Sequence, residues 1–61
     1  MDDNIQRELK LLDLGEQGKY YGEVDKATGE RDGRGAFISP NFTYEGYYHQ
    51  GKINGNGRFI L

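Results

Sequence analysis

Several residue groups in this chain have types and spacings that could do chemistry. Gly33-Arg34-Gly35 and Gly55-Asn56-Gly57 could offer backbone amides to a phosphate. A phosphate loop also needs a third glycine, a lysine and a following helix, none of which accompanies either pair, so both read as strand glycines. Asp25 to Asp32 has the outline of a calcium loop. Its third position is Ala27, though, and no bidentate glutamate closes it, so it reads as a hairpin turn. His49 could act as a general base, but no serine or cysteine joins it in a recognisable motif, and it reads as a solvated turn residue. Five tyrosines and three phenylalanines could stack nucleic-acid bases. Such platforms come with a positive groove, and Arg31 is the one charge that falls among these aromatics. With no cysteine and one histidine, the chain has no thiolate or imidazole cluster for a metal. No paired carboxylates and no nucleophile with its base emerge. Neither a catalytic residue, a cofactor nor a metal is expected.

What remains is binding. At 61 residues the chain can form one domain with a marginal core. Small domains usually recover the deficit with disulfides, a metal or a partner, and here the partner is the option left. Residues 1–14 carry a net charge of −2 and residues 15–61 are balanced. No basic patch suggests nucleic acid. There is no apolar run long enough to span a membrane, and the acidic start fits neither a secretory signal nor a transit peptide. The sequon Asn41-Phe42-Thr43 is therefore taken as a chance match, and the expected setting is cytoplasmic.

Two kinds of element must position the aromatic residues. Residues 1–14 predict a short amphipathic α-helix. Asp2 or Asp3 would be its N-cap, and Ile5, Leu9 and Leu12 its apolar stripe, widened by Leu11 and Leu14. Gly15 would end it in the left-handed conformation. From residue 15 onward, short strands punctuated by glycine take over. Tyr20-Tyr21-Gly22 is answered by Tyr44-Glu45-Gly46 at an offset of 24, and Gly29–Phe37 by Gly51–Phe59 at an offset of 22. These blocks predict two β-hairpins, about residues 18–39 and 40–61.

The turns predict a register. A two-residue loop at Gln50-Gly51 sets Tyr48 opposite Ile53, Gly46 opposite Gly55 and Tyr44 opposite Gly57. A turn around Ala27-Thr28 sets Val24 opposite Arg31, Gly22 opposite Gly33 and Tyr20 opposite Gly35. A type II turn at Pro40-Asn41, with positive φ at Asn41, sets Phe37 opposite Tyr44 and Gly35 opposite Gly46. One face then carries Tyr20, Val24, Phe37, Phe42, Tyr44, Tyr48, Ile53, Phe59 and Leu61 with the strand glycines. The other is mainly charged, Asp32 included, with Tyr21, Ile38, Tyr47 and Ile60 as its bulky residues. Tyr20 over Gly35 and Tyr44 over Gly57 predict aromatic rings covering bare glycine backbone.

The order Tyr-x-Gly, Gly, Gly-x-Gly-x-Phe resembles the MORN (membrane occupation and recognition nexus) repeat. Tyr44 to Phe59 matches the family's pattern closely, and Tyr20 to Phe37 matches with an insertion. The resemblance spans residues 18–61. It implies a mainly β protein of antiparallel hairpins in a single elongated sheet. It also implies a non-catalytic scaffold or protein-binding module, in cytoskeletal, ciliary or membrane-associated assemblies. Binding to phospholipid is the alternative the family name implies, expected here to be weak because the acids cancel the bases. An RNA-binding sheet is the more distant alternative. The expected partner-binding residues are Ile5, Leu9, Leu12 and Leu14 on the helix, Tyr20, Phe37, Phe42, Tyr44 and Tyr48 on the sheet, and Phe59, Ile60 and Leu61 on a final strand with an open edge. The expected partner is another protein or a second copy, within a larger complex.

Overall fold

A computed structural model describes residues 4–61. Its five strands form one antiparallel sheet in chain order: β1 (Arg7–Asp13), β2 (Lys19–Asp25), β3 (Arg31–Ile38), β4 (Thr43–His49) and β5 (Lys52–Ile60). The sheet is a single layer, 34 × 23 × 14 Å in extent.

Each connection has a local cause. Between β2 and β3, Asp25 Oδ1 accepts from the Ala27 amide at 2.8 Å, and Gly29 takes φ 80° to re-enter the ladder. Ser39 organises the next turn, its Oγ accepting from the Asn41 and Phe42 amides at 3.3 and 3.1 Å. Gln50 is the only non-glycine residue with positive φ among those described, so Asn41 does not adopt the type II geometry. The serine hydroxyl meets the turn's amides without it. Gln50 and Gly51, at φ 52° and 82°, make the two-residue loop between β4 and β5. A left-handed conformation costs an ordinary residue about 1–2 kcal/mol, and asparagine tolerates it best. Gln50→Asn is therefore expected to stabilise the fold by about 0.5–1 kcal/mol. A rise of several degrees in melting temperature checks it.

Among the described residues the expected N-terminal α-helix is not present. Residues 7–13 are a strand paired along its whole length with β2, from Arg7 opposite Asp25 to Asp13 opposite Lys19. The apolar run supported both periods, since Leu9 and Leu11 also alternate. The edge of β2 decided between them, because its unpaired amides and carbonyls gain a full ladder only from a strand. Gly15 does take a left-handed φ of 68°, but it opens a 3-10 turn (Gly15–Gln17) joining two strands. The N-cap assigned to Asp2 or Asp3 lies outside the described residues.

The predicted pairs hold beside each turn and fail farther along. Val24 faces Arg31 and Tyr48 faces Ile53, yet Gly22 faces Gly35, Tyr20 faces Phe37, Gly46 faces Gly57 and Tyr44 faces Phe59. Each hairpin therefore holds a bulge with two extra residues on its second strand, around Gly33 (φ 101°) and Gly55 (φ 77°). The shift is even, so the aromatic face survives. Across the β3–β4 junction Phe37 faces Tyr44 and Gly35 faces Gly46, as the turn position predicts.

The core is Tyr20, Val24, Tyr44 and Tyr48, with Leu12, Leu14, Phe37 and Phe42 packed against it.

Candidate functional site: the aromatic face and the β5 edge

The Tyr-x-Gly pair builds the aromatic face. Tyr20 lies along its own strand, and its hydroxyl donates to the Glu23 carbonyl at 2.7 Å. Tyr44 repeats this toward the Tyr47 carbonyl at 3.4 Å. A Cβ on Gly35 would collide with the Tyr20 ring, and one on Gly57 with the Tyr44 ring. The rings thus cover the glycines named from the sequence, reaching them diagonally, since each tyrosine stands directly opposite a phenylalanine. Tyr48 receives edge-on contacts from both, at centroid distances of 5.3 Å from Tyr20 and 5.5 Å from Tyr44. Phe42 bridges Phe37 and Phe59 at 6.0 and 5.5 Å.

Arg31 lies over the Tyr48 ring at 5.1 Å and the Tyr20 ring at 5.8 Å. This positive charge sits on buried rings of the chain itself. Burial pushes the Tyr20 hydroxyl up to about 12, with Tyr48, Glu23 and Asp32 adding to the effect and Arg31 opposing it. Burial likewise raises Tyr48. A raised folded value means the unfolded chain ionises first as pH rises. Stability from these two groups is complete below about pH 10 and is lost as pH rises beyond it, for Tyr20 toward pH 12. Alkaline unfolding in that window, followed by tyrosinate absorbance, is the expected result. Ionisation of Tyr20 and Tyr48 near pH 10, with no structural transition, would contradict it.

The residues singled out from the sequence fall into three groups. Tyr20, Tyr44 and Tyr48 are buried as the chain's own core, with Phe37 and Phe42 half-buried beside them. The strand splits the expected helix stripe: Leu12 and Leu14 join the core, while Leu9 stands on the opposite face, 66% exposed. Ile5 lies by the β2–β3 turn with Asp25, Lys26 and Ala27. Phe59, Ile60 and Leu61 remain open, Phe59 at 59% exposure. Every residue of β5 is exposed, whereas β3 is covered by a strand on each side. Between β4 and β5 the aromatic face dips into an open groove of about 500 Å³, lined by Phe37, Phe42, Tyr44, Tyr48, Ile53 and Phe59 together with Gly51 and the two cationic residues Arg31 and Lys52.

Comparisons with protein-family models, curated proteins and solved structures find no match.

Sequence reasoning missed Asp32. Strand alternation put it on the solvated face, but the bulge around Gly33 turns it inward to 1% exposure. Its Oδ1 accepts from Arg7 Nε and Nη2 at 3.0 and 2.8 Å, and its Oδ2 from the Gln50 amide at 3.1 Å. His49 Nδ1 lies 3.5 Å from Oδ2. One carboxylate therefore joins β1, β3 and the β4–β5 turn. A usable signal was present, since the equivalent position in the second repeat is Asn54, a neutral residue where the first repeat has a charge. Among the described residues no three His, Asp or Glu side chains gather as metal ligands, and no helix is long and apolar enough to cross a membrane.

Proposed function

We propose that this chain is a MORN-type hairpin module that works without catalysis, by docking another protein on its β5 edge and the adjoining aromatic face. The observation that carries the reading is the inequality between equivalent strands. Inside the sheet β3 is paired on both edges, whereas β5 has one edge open and apolar residues still exposed beside it. An open edge offers a row of unpaired amides and carbonyls, which a partner strand satisfies by augmentation. The aromatic groove beside it adds apolar area to the same contact. The interaction role, the repeat resemblance and the cytoskeletal or ciliary setting that the resemblance implies all belong to this one reading.

A single-layer sheet leaves much of its apolar surface wet, so the partner should also stabilise the fold. Circular dichroism melts and sedimentation over a dilution series test this. The isolated chain is expected to melt broadly and at low temperature, and to sharpen when its partner is present. A lone monomer with a sharp, concentration-independent melt well above room temperature would overturn the proposal.

A further inference from the structure

The second strands of the two repeats, β3 and β5, are equivalent at an offset of 22, but only β3 carries a strand on its outer edge. What β3 receives from β4 is therefore a template for what β5 can receive. Tyr44 stands opposite Phe37, Gly46 opposite Gly35 and Tyr48 opposite Gly33. Beyond them, the Gln50 amide donates to the Asp32 carboxylate at 3.1 Å, and the Gly51 amide to the Arg31 carbonyl at 2.8 Å.

Moved by one repeat, the same demands fall on β5. An aromatic ring belongs opposite Phe59, a small residue opposite Gly57 and a second aromatic ring opposite Gly55. Two amides would then meet the Asn54 side chain and the Ile53 carbonyl. The ground for each is in place. The midway residue is small because the first ring lies back over it: a Cβ on Gly46 would meet the hydroxyl of Tyr44 on its own strand, as one on Gly22 would meet that of Tyr20. The position equivalent to Gly55 is Gly33, which already has the Tyr48 ring opposite it, and Gly55 has no strand on its outer edge. Tyr44 is also placed to meet a ring opposite Gly55 edge-on, as Tyr20 meets Tyr48. Phe59 and Ile53 are both more than half exposed on this side.

We infer that the β5 edge binds an extended segment of another protein, antiparallel to β5, with two aromatic residues four positions apart and a small residue midway. The inference rests on the proposed docking role and specifies its ligand. A second copy of this chain does not meet the template. The strand that carries two such rings, β4, is paired on both edges, with Tyr44 and Tyr48 buried. A copy's free edges are β1, which has no aromatic residue, and β5. Pairing β5 with β5 about Gly55 would set Lys52 of one copy against Arg58 of the other, a repulsive cross-strand pair.

The test uses the full chain, isotope-labelled, and a synthetic peptide with the sequence of residues 40–51. Matched peptides carry Tyr44→Thr, Tyr48→Thr or Gly46→Val. The parent peptide is expected to protect amides of residues 52–61, and each change to weaken binding about ten-fold, as the loss of one buried ring contact implies. Equal binding of all four peptides to β5 overturns the template while leaving a strand-accepting edge, and so the proposed function, intact. Protection that maps to β1, or that arises on concentrating the chain without peptide, overturns the inference and, in the second case, makes a second copy the occupant. If no peptide binds and the chain melts sharply as a monomer, inference and proposed function fall together.

Discussion

Replacing Asp32 by alanine is expected to leave the chain largely unfolded at room temperature. Removing one member of a buried, hydrogen-bonded charge pair costs about 3–5 kcal/mol, and a domain of this size holds little more than that in reserve. The loss is more than one ion pair. The Gln50 amide loses its acceptor, Arg7 loses two hydrogen bonds that reach across β2 to β3, and the inward-turned bulge loses its anchor. Asp32→Asn keeps the shape and part of the hydrogen bonding, so it should fall between alanine and the parent. The acid behaviour follows from the same contacts. Burial alone would raise the Asp32 carboxyl, but the Gln50 amide, the Arg7 guanidinium and His49 together hold it below the usual carboxylate range. A depressed folded value means the unfolded chain takes up the proton first as pH falls. Stability from Asp32 is therefore complete above about pH 4 and drains away below it. Urea melts between pH 3 and 7 should show this slope in the parent and a flatter one in Asp32→Asn. An Asp32→Ala chain that melts like the parent would remove Asp32 from its place as the tie between strands.

The second large effect is expected at Gly35. Its φ is not positive, so alanine meets no conformational penalty there and any loss must be steric. The added Cβ would enter the Tyr20 ring, which is fully buried. Overpacking costs about 1–3 kcal/mol, and displacing the ring adds part of the 3–5 kcal/mol that a buried aromatic is worth against truncation. Gly29→Ala is the control, because a Cβ there meets nothing within 4 Å and only its φ of 80° is strained. It should cost about 1 kcal/mol. Tyr20→Leu in the Gly35→Ala background should cost less than the sum of the two changes, since the ring that clashes is gone. Additive losses in that double variant would show that the ring and the glycine are not coupled, and the explanation of the Tyr-x-Gly spacing would fail.

Most of the sheet was legible in the sequence because its rules are local. Glycine and proline mark turns, and the repeat showed two hairpins of equivalent register. The separation of faces followed from period-2 alternation, which no even shift disturbs. That is why Tyr20 and Tyr44 fell on the correct side although their predicted partners were two residues off, while Tyr48 kept its predicted partner Ile53. The aromatic rings over Gly35 and Gly57 were readable for the same reason.

Three features were decided only in the tertiary structure. The spacing of Leu9, Leu11 and Leu12 suits a helix or a strand, and the unpaired edge of β2 selected the strand; that choice sent Leu9 and Leu12 to opposite faces. The bulges at Gly33 and Gly55 depend on glycine φ values that sequence permits but does not require. Asp32 became the central polar contact because one such bulge turned it inward, toward Arg7, 25 residues away, and the Gln50 amide, 18 away. Alternation and turn chemistry act over a few residues and can be read along the chain. Which edge needs a strand, and which buried charge finds a partner, depend on groups that only folding brings together.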